Sequence, residues 1–144
     1  ITRKNLINIG NDIRAEFGAG ELAKRALKII QENRGQNTLV VSIRNPDEVK
    51  VLKTRKDFQL WFVDAPARLR YERTVKRRRT DDFFSYEDFV AKEKLENSSD
   101  PNAQQLTKVA AMADVRIIND TDFQSLYAKI DKLLLSERSS SAGE

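Results

Sequence analysis

The chain has 144 residues, of which 40% are hydrophobic and 33% charged, and its formal net charge is +4. It contains neither cysteine nor histidine, which excludes disulfides, thiolate metal sites and histidine bases. The length is that of one domain. Chemistry in this chain must therefore depend on carboxylates, arginine, lysine, hydroxyl groups or a hard cation held by oxygens.

Two helices are predicted at the start of the chain. The first runs from a Thr2 cap to about Phe17, because apolar residues recur at helical spacing and Gly18 ends the pattern. The second begins near Gly20 and stops at Gly35.

Three strands are predicted, at Thr38–Ile43, Phe58–Val63 and Val115–Ile118. Short continuous apolar runs are typical of strands buried on both faces. Because helices separate these runs, we expect an α/β protein: a three-layer parallel sheet with helices on both faces. Three strands are few for such a sheet. Together with a start at Ile1 rather than Met, this predicts that an N-terminal strand is missing.

Five further helices are predicted from caps and apolar spacing. The first begins at Asn45 and Pro46, and the second covers Pro66–Arg77. The third begins at Ser85, with Asp88 at capping-box spacing. The fourth covers Ala103–Ala113, and the fifth runs from an Asp122 cap to about Ser136. The polar stretch Ser139–Glu144 is predicted to be a disordered tail.

The most informative stretch joins the second strand to a helix rich in arginine, followed by a reversal of charge. Its six arginines are Arg68, Arg70, Arg73, Arg77, Arg78 and Arg79. Arginine grips phosphate with a rigid fork of donors, and helical spacing places Arg70, Arg73 and Arg77 on one face. We therefore predict binding of a polyphosphate. The alternative is a solvated basic face that pairs with Glu72 and the acidic residues at 81–82.

Two more candidate residues follow predicted strands, where open α/β sheets bind ligands. Arg44 follows the first strand, and the alternative for it is an ordinary surface arginine. Asp64 ends the second strand. It is predicted either to orient substrate or water around a metal or to cap the helix after Pro66.

Four segments in order resemble one family: TRKNLINIGNDIRAEFGAGELAKRAL, VVSIRNPDEVKVLK, WFVDAPARLRYERTVKRRRTDDFFSYEDF and ADVRIINDTDFQSLYAKIDKLL. The chain resembles the P-loop kinases of the dephospho-coenzyme A kinase-like group, which is close to the nucleoside-monophosphate kinases. A similar module precedes some fungal deoxycytidylate deaminases. The resemblance covers residues 1–138, with substrate-binding helices at about 1–36 and a lid at about 74–102.

The resemblance implies ATP and Mg²⁺ as cofactors and a role for each candidate residue. Arg73 and Arg77, with Asp64, would be catalytic. Arg44, Arg14 and Arg70 would contact the acceptor. Arg78 and Arg79 of the lid, with Asn119 near the base, would bind the nucleotide. The bland alternatives are a solvated Arg14 and a simple turn at Asn119.

Two departures from the family concern metal and phosphate. No G-x-x-x-x-G-K-[ST] loop is present, so no row of backbone amides cradles phosphates. Val41, followed by Ser42, stands where the family commonly has an aspartate for Mg²⁺. We therefore expect residues 1–144 alone to be a poor kinase or none, without measurable ATP binding.

The first functional hypothesis is a fragment of an ATP-dependent phosphotransferase whose acceptor resembles a nucleotide or coenzyme precursor. The alternatives are a degenerate module that binds a nucleotide or partner without chemistry, and the N-terminal module of a deoxycytidylate deaminase. Nucleic acid ranks last as a partner, because no stacking motif accompanies the basic helix. With no apolar run near ~20 residues, we predict a cytoplasmic protein without a membrane partner. A truncated sheet would leave an edge open to homo-oligomerisation.

Overall fold

The computed structural model describes residues 3–33, 35, 37–77 and 85–141 and shows a mixed α/β chain. Its elements are α1 (Arg3–Phe17), α2 (Glu21–Glu32), α3 (Pro46–Leu52), β1 (Trp61–Asp64), α4 (Ala67–Lys76), α5 (Tyr86–Leu95), α6 (Leu106–Ala111), β2 (Val115–Ile118) and α7 (Phe123–Ser141). Compared with the sequence prediction, β1 begins later, α6 is shorter, and α7 continues past Ser136.

The sheet of the described chain has two parallel strands. Trp61 of β1 lies opposite Val115 of β2, and the register continues to Asp64 opposite Ile118. The crossover between the strands contains α4, α5 and α6, as parallel pairing requires. Both strands therefore end side by side. The mixed α/β class is confirmed, whereas the three-layer sheet of a P-loop kinase is not.

The strand predicted at Thr38–Ile43 is wrong: this run is irregular, and it is not buried on both faces. Leu39 is 86% exposed and Val41 69% exposed. Ser42 has a φ of 64°, in the left-handed region that interrupts an extended strand. No described strand pairs with this segment, so Leu39 and Val41 lack the covering that a buried strand needs, whereas Ile43 packs against the core.

The main core lies where α3, α6 and the start of β1 meet. Val49, Leu60 and Val109 form its buried cluster, against which the side chains of Ile43, Phe58, Met112 and Ala113 pack. Helix α2 lies close to α3. A Cβ added to Gly20, before α2, would come within 2.8 Å of the Val51 side chain, so this approach requires glycine.

Three of the predicted caps are confirmed, whereas the Thr2 cap lies outside the described residues. Asn45 accepts a hydrogen bond from the backbone N–H of Asp47, and Pro46 is the first residue of α3. Ser85 accepts from the N–H of Asp88 at the start of α5. At the start of α7, the Asp122 carboxylate accepts a hydrogen bond from the N–H of Ser125. Helix starts were readable from sequence because each cap uses neighbours only two or three residues away.

Asp114 ties the end of α3 to the start of the sheet. Its carboxylate accepts from the Lys53 ammonium at 2.7 Å and from the Leu60 N–H at 2.8 Å. Lys53 also donates to the carbonyl of Met112. The Lys53 hydrogen bond, followed by the Leu60 backbone hydrogen bond, lowers the pKa of Asp114.

A group with a lowered native pKa contributes stability above its unfolded pKa and loses it as pH falls through the native value. We expect Asp114→Asn to lower the free energy of unfolding by about 1 kcal/mol at pH 7, the net value of one hydrogen bond. The difference in unfolding free energy should shrink below about pH 4, where the Asp114 carboxyl of the unfolded chain becomes protonated. Urea denaturation at pH 7 and pH 3 measures it. Asp131→Asn, at an exposed position of α7, is the control variant. A difference in unfolding free energy between wild type and Asp114→Asn that stays constant with pH would contradict the lowered pKa of Asp114.

Candidate functional site at the strand ends

The carboxyl ends of β1 and β2 form the candidate site, called here the strand-end rim. It consists of Asp64 at the end of β1 with Ala65 after it, the turn at residues 119–122 after β2, and the arginines of α4 that reach both. Ligands of open α/β sheets bind at such carboxyl ends.

Arg70 is fully engaged by protein groups at the rim. Its Nε and Nη2 donate to the two carboxylate oxygens of Glu93 in α5, at 2.9 and 2.7 Å. Its Nη1 donates to Asp64 Oδ1 at 2.8 Å and to the carbonyl of Ala65. The Glu93 hydrogen bond is the main cause that raises the pKa of Arg70. Two carboxylates therefore neutralise this guanidinium, which joins α4 to α5 and to the end of β1.

Asp64 does not cap α4. Its Oδ1 accepts from the N–H of Ala65 and from Arg70. The residue that precedes α4 is Pro66, with no side-chain cap. The capping alternative for Asp64 is therefore wrong, because Arg70 occupies the carboxylate. Its proposed catalytic role stays a prediction.

Arg73 makes a different set of contacts, to neutral groups. Its Nη1 donates to the carbonyl of Asn119 and its Nη2 to the carbonyl of Thr121, both at 2.7 Å. Within the described ranges, no carboxylate lies within 4 Å of the Arg73 guanidinium. Arg73 is also a minor cause of the lowered pKa of Asp120, after the dominant Lys129 hydrogen bond. Its positive charge thus remains available at the rim.

Arg77 follows one turn beyond Arg73, where its Nε donates to the Arg73 carbonyl at 3.2 Å. Its side chain is exposed. In the portion of the chain that is described, no carboxylate forms an ion pair with it. Arg73 and Arg77 are therefore two neighbouring cations on α4 with no close anionic partner among these residues.

Arg68, also in the arginine-rich run, belongs to an aromatic cluster. Its guanidinium lies 5.8 Å from the ring centre of Tyr71 and 5.2 Å from that of Tyr86. Those two rings and Phe89 contact one another at centroid distances of 5.6 to 6.4 Å. The cluster joins α4 to α5 and contributes packing, with cation–π contacts of about 0.5–1 kcal/mol at such exposed sites.

Arg14 and Arg44 belong to a buried polar network away from the α4 contacts. Arg14 is 3% exposed, and its Nε and Nη2 contact Glu48 Oε1 at 2.9 and 2.8 Å. Glu48 Oε2 accepts from the N–H groups of Arg44 and Asn45. The alternative of a solvated Arg14 is wrong, because Glu48 draws it into the interior. A substrate-binding role for Arg14 stays a prediction that this pairing does not favour.

The Arg44 side chain lies at the partly buried edge of the same network. Its Nη1 donates to Gln104 Oε1 at 3.1 Å and lies 3.5 Å from Glu96. Asn45, 1% exposed, donates to the carbonyls of Pro101 and Ala103. These contacts fasten the 101–105 turn to the start of α3. The binding role predicted for Arg44 is left as a prediction.

The structure thus brings Asp64, Arg70, Arg73 and Asn119 together, with Arg77 one turn away. Arg14 and Arg44 share a different network, while Arg78 and Arg79 fall outside the described residues. Sequence reasoning missed Glu93 and Gln104, which lie 23 and 60 residues from their arginine partners and give no local signal. Glu48 was readable as a helix-start residue, but its role as the partner of Arg14 was not.

Across residues 3–33, 35, 37–77 and 85–141, no three His, Cys, Asp or Glu side chains cluster as a metal site. The described helices include none that is long and apolar enough to cross a membrane.

The buried Arg14–Glu48 pair yields a sharp stability prediction. Arg14→Ala leaves a buried carboxylate without its cation, so we expect the free energy of unfolding to fall by about 3–5 kcal/mol. The Arg14→Met, Glu48→Gln double variant removes both charges and should recover part of that loss. Arg25→Ala, which breaks the exposed Arg25–Glu21 pair, is the control and should change stability by less than about 0.5 kcal/mol.

Urea denaturation of the four proteins checks this expectation. Equal stability of the Arg14→Ala and Arg25→Ala variants would contradict a structural role for the buried pair.

Comparison with known proteins identifies archaeal relatives. A UPF0200 protein of Sulfurisphaera tokodaii is 30% identical over 135 residues, covering 91% of this chain and 70% of that protein. A UPF0200 protein of Pyrococcus furiosus is 29% identical over 140 residues, covering 92% and 72%. A UPF0200/UPF0201 protein of Archaeoglobus fulgidus is 30% identical over 139 residues, covering 94% and 42%. This chain thus spans only part of each relative.

No family model matches the chain. No solved structure matches it either.

The resemblance to the dephospho-coenzyme A kinase-like group is corrected by these relatives. Proteins that match more than nine tenths of the chain carry the UPF0200 name, and none of the three names a kinase. The identification as a truncated member of that kinase group is therefore wrong. The extent of the Sulfurisphaera match, at 30% identity across 70% of the relative, shows that this chain belongs to the UPF0200 family.

Proposed function

We propose that the strand-end rim binds phosphate groups of a nucleotide-like small molecule, and that the whole protein uses this site for ATP-dependent phosphotransfer to a nucleotide-like acceptor. The observation that carries the proposal is Arg73. Its guanidinium lies at the carboxyl ends of two parallel strands and contacts only neutral carbonyls among the described residues.

The contacts of Arg73 favour an anion as its further partner. A charged oxygen forms a shorter and stronger hydrogen bond with a guanidinium than a peptide carbonyl does. A phosphate can therefore compete with the carbonyls of Asn119 and Thr121. Arg77, exposed one turn away, adds a second cation to the same anion. Arg70 is a poorer candidate because Asp64 and Glu93 already neutralise it.

The chemistry proposed for the rim is positioning and charge neutralisation, which dominate phosphoryl transfer. Arg73 and Arg77 would hold phosphate oxygens while the acceptor approaches. The described residues fit phosphate groups of ATP, but they do not provide a magnesium site, since Asp64 is bonded to Arg70 and no acidic cluster forms among them. We therefore assign no step to Mg²⁺.

A second candidate function is a module that binds a nucleotide without chemistry. It is supported by the ion pairs of Arg14, Arg44 and Arg70 with protein carboxylates. These pairs leave few positive charges to stabilise the transition state of phosphoryl transfer. Both candidates require the same anion site. They differ in whether the terminal phosphate of ATP is transferred by the whole protein.

The binding prediction is tested with tripolyphosphate and residues 1–144, followed by amide chemical shifts. We expect binding far weaker than micromolar, with a Kd of about 1 mM that shifts in the amide spectrum detect, centred on Asn119 and Thr121. Arg73→Ala should weaken binding about tenfold, equivalent to 1.4 kcal/mol. Arg73→Lys keeps the charge but loses the fork, so its affinity should lie between the two. Arg25→Ala is the charge-matched control on α2.

Unchanged affinity in Arg73→Ala, or shifts confined to other surfaces, would remove Arg73 from the site. An assay for transfer of the labelled terminal phosphate of ATP to a nucleotide acceptor by the full-length Sulfurisphaera relative separates the two candidates. Transfer supports the phosphotransferase, and tight binding of ATP without transfer supports the binding module.

A further inference from the structure

A carboxylate from α5 occupies the edge of the Arg70 guanidinium that is best suited to an anion. Glu93 accepts two hydrogen bonds there, from Arg70 Nε at 2.9 Å and from Nη2 at 2.7 Å. Arginine binds carboxylates and phosphates with the same paired geometry. The Glu93 oxygens therefore lie where two oxygens of a phosphate would lie, and they compete with a phosphate for the same donors.

The occupied guanidinium lies beside the Arg73 site. Arg70 Nη1 donates to Asp64 Oδ1 at 2.8 Å, and Arg73 Nη1 donates to the carbonyl of Asn119 at 2.7 Å. Asp64 and Asn119 are themselves joined, because the Asn119 N–H donates to the Asp64 carbonyl at 2.7 Å. The two arginines thus contact neighbouring residues of the rim, and a phosphate chain held by Arg73 has Arg70 beside it.

The charges around Arg70 disfavour an anion while Glu93 is ionised. Asp64 and Glu93 place two negative charges against the one positive charge of Arg70, which gives these three side chains a net charge of −1. Glu93 is only 28% exposed, so salt and water screen it less than a surface carboxylate. Without the Glu93 charge, a neutral Asp64–Arg70 pair would remain, with guanidinium donors free for a ligand.

Aromatic packing fixes the position of Glu93. It follows one helical turn after Phe89 of α5, which is 4% exposed and whose ring lies 5.8 Å from that of Tyr71 in α4. Tyr86, at the start of α5, lies 5.6 Å from the same Tyr71 ring. These contacts hold α5 against α4. The fold itself therefore presents the Glu93 carboxylate to Arg70.

We propose that Glu93 is an internal competitor that withholds Arg70 from an anion at the strand-end rim and thereby sets the affinity of the rim for phosphate. Glu93 is a positioning residue, because it acts through Arg70 and contacts no ligand. The proposal rests on the anion site proposed above. Its consequence has an unusual sign: removal of a carboxylate that joins two helices strengthens binding.

The test measures the Kd of tripolyphosphate for variants of residues 1–144 by amide chemical shifts. Glu93→Gln keeps the shape of the side chain and removes its charge, so tripolyphosphate should bind about fivefold more tightly than to wild type. The double variant Arg70→Ala, Glu93→Gln has the same net charge as wild type. Its affinity should return to the wild-type value, because the arginine responsible for the gain is absent.

Glu72→Gln is the matched control. It removes the same charge and releases another arginine of α4, since Glu72 pairs with Arg68 at 3.5 Å. Arg68 lies over the rings of Tyr71 and Tyr86 and makes no described contact with the rim. The Kd of this variant should therefore differ from the wild-type value by less than about twofold, as expected for an exposed ion pair.

The arginine side-chain resonances give a measurement that does not require Glu93→Gln to fold. In wild type, tripolyphosphate should shift the Arg73 Nε signal and leave the Arg70 Nε signal in place. In Glu93→Gln, both signals should shift. The loss of each signal in the Arg70→Ala or Arg73→Ala variant assigns it. A wild-type Arg70 signal that shifts as far as the Arg73 signal would show that Glu93 withholds nothing.

Three affinity results would also overturn the inference: an unchanged Kd in Glu93→Gln, an equal gain in Glu72→Gln, or a gain that persists in the double variant. The Arg73→Ala variant separates this inference from the anion site itself. A tenfold loss of affinity in Arg73→Ala without a gain in Glu93→Gln rejects the inference alone. Absence of tripolyphosphate binding in all of these proteins rejects the anion site and the inference together.

Discussion

The carboxylate of Glu48 is the group on which the first half of the fold depends. Its two oxygens accept hydrogen bonds from the Arg14 side chain and from the backbone N–H groups of Arg44 and Asn45. One buried side chain thereby fixes α1 against α3 and closes the first turn of α3. Asn45, held in place by this turn, then reaches the 101–105 segment. Removal of Arg14 would leave this buried carboxylate without its cation, so Arg14 is constrained by the stability of the fold.

Local structure was predictable from sequence where its determinants were local. The caps at Asn45, Ser85 and Asp122 use neighbours within three residues, so their sequence signals sufficed. The run at residues 38–43 misled because an apolar sequence specifies burial only if other elements cover it. The apolar pattern of a segment indicates that it favours burial, whereas the elements that would cover it are determined by the rest of the fold.

The candidate site was predictable in position but not in charge balance. Helical spacing predicted that Arg70 and Arg73 share a face of α4, and both reach groups that end or follow β1 or β2. The distinction between them came from Glu93, which α5 carries to Arg70 from 23 residues away. Neutralisation by a distant carboxylate has no sequence signature. Two arginines three residues apart therefore differ in what they offer to a ligand.

The contact between Arg73 and the turn before α7 has a thermodynamic consequence. The same guanidinium donates to the carbonyls of Asn119 and Thr121 and is the proposed holder of phosphate. An anion that takes those donors would loosen the turn, and by reciprocity whatever stabilises the turn in its Arg73-bonded form would weaken binding of the anion. The affinity of the rim for an anion and the order of the turn before α7 would then depend on one coupled equilibrium.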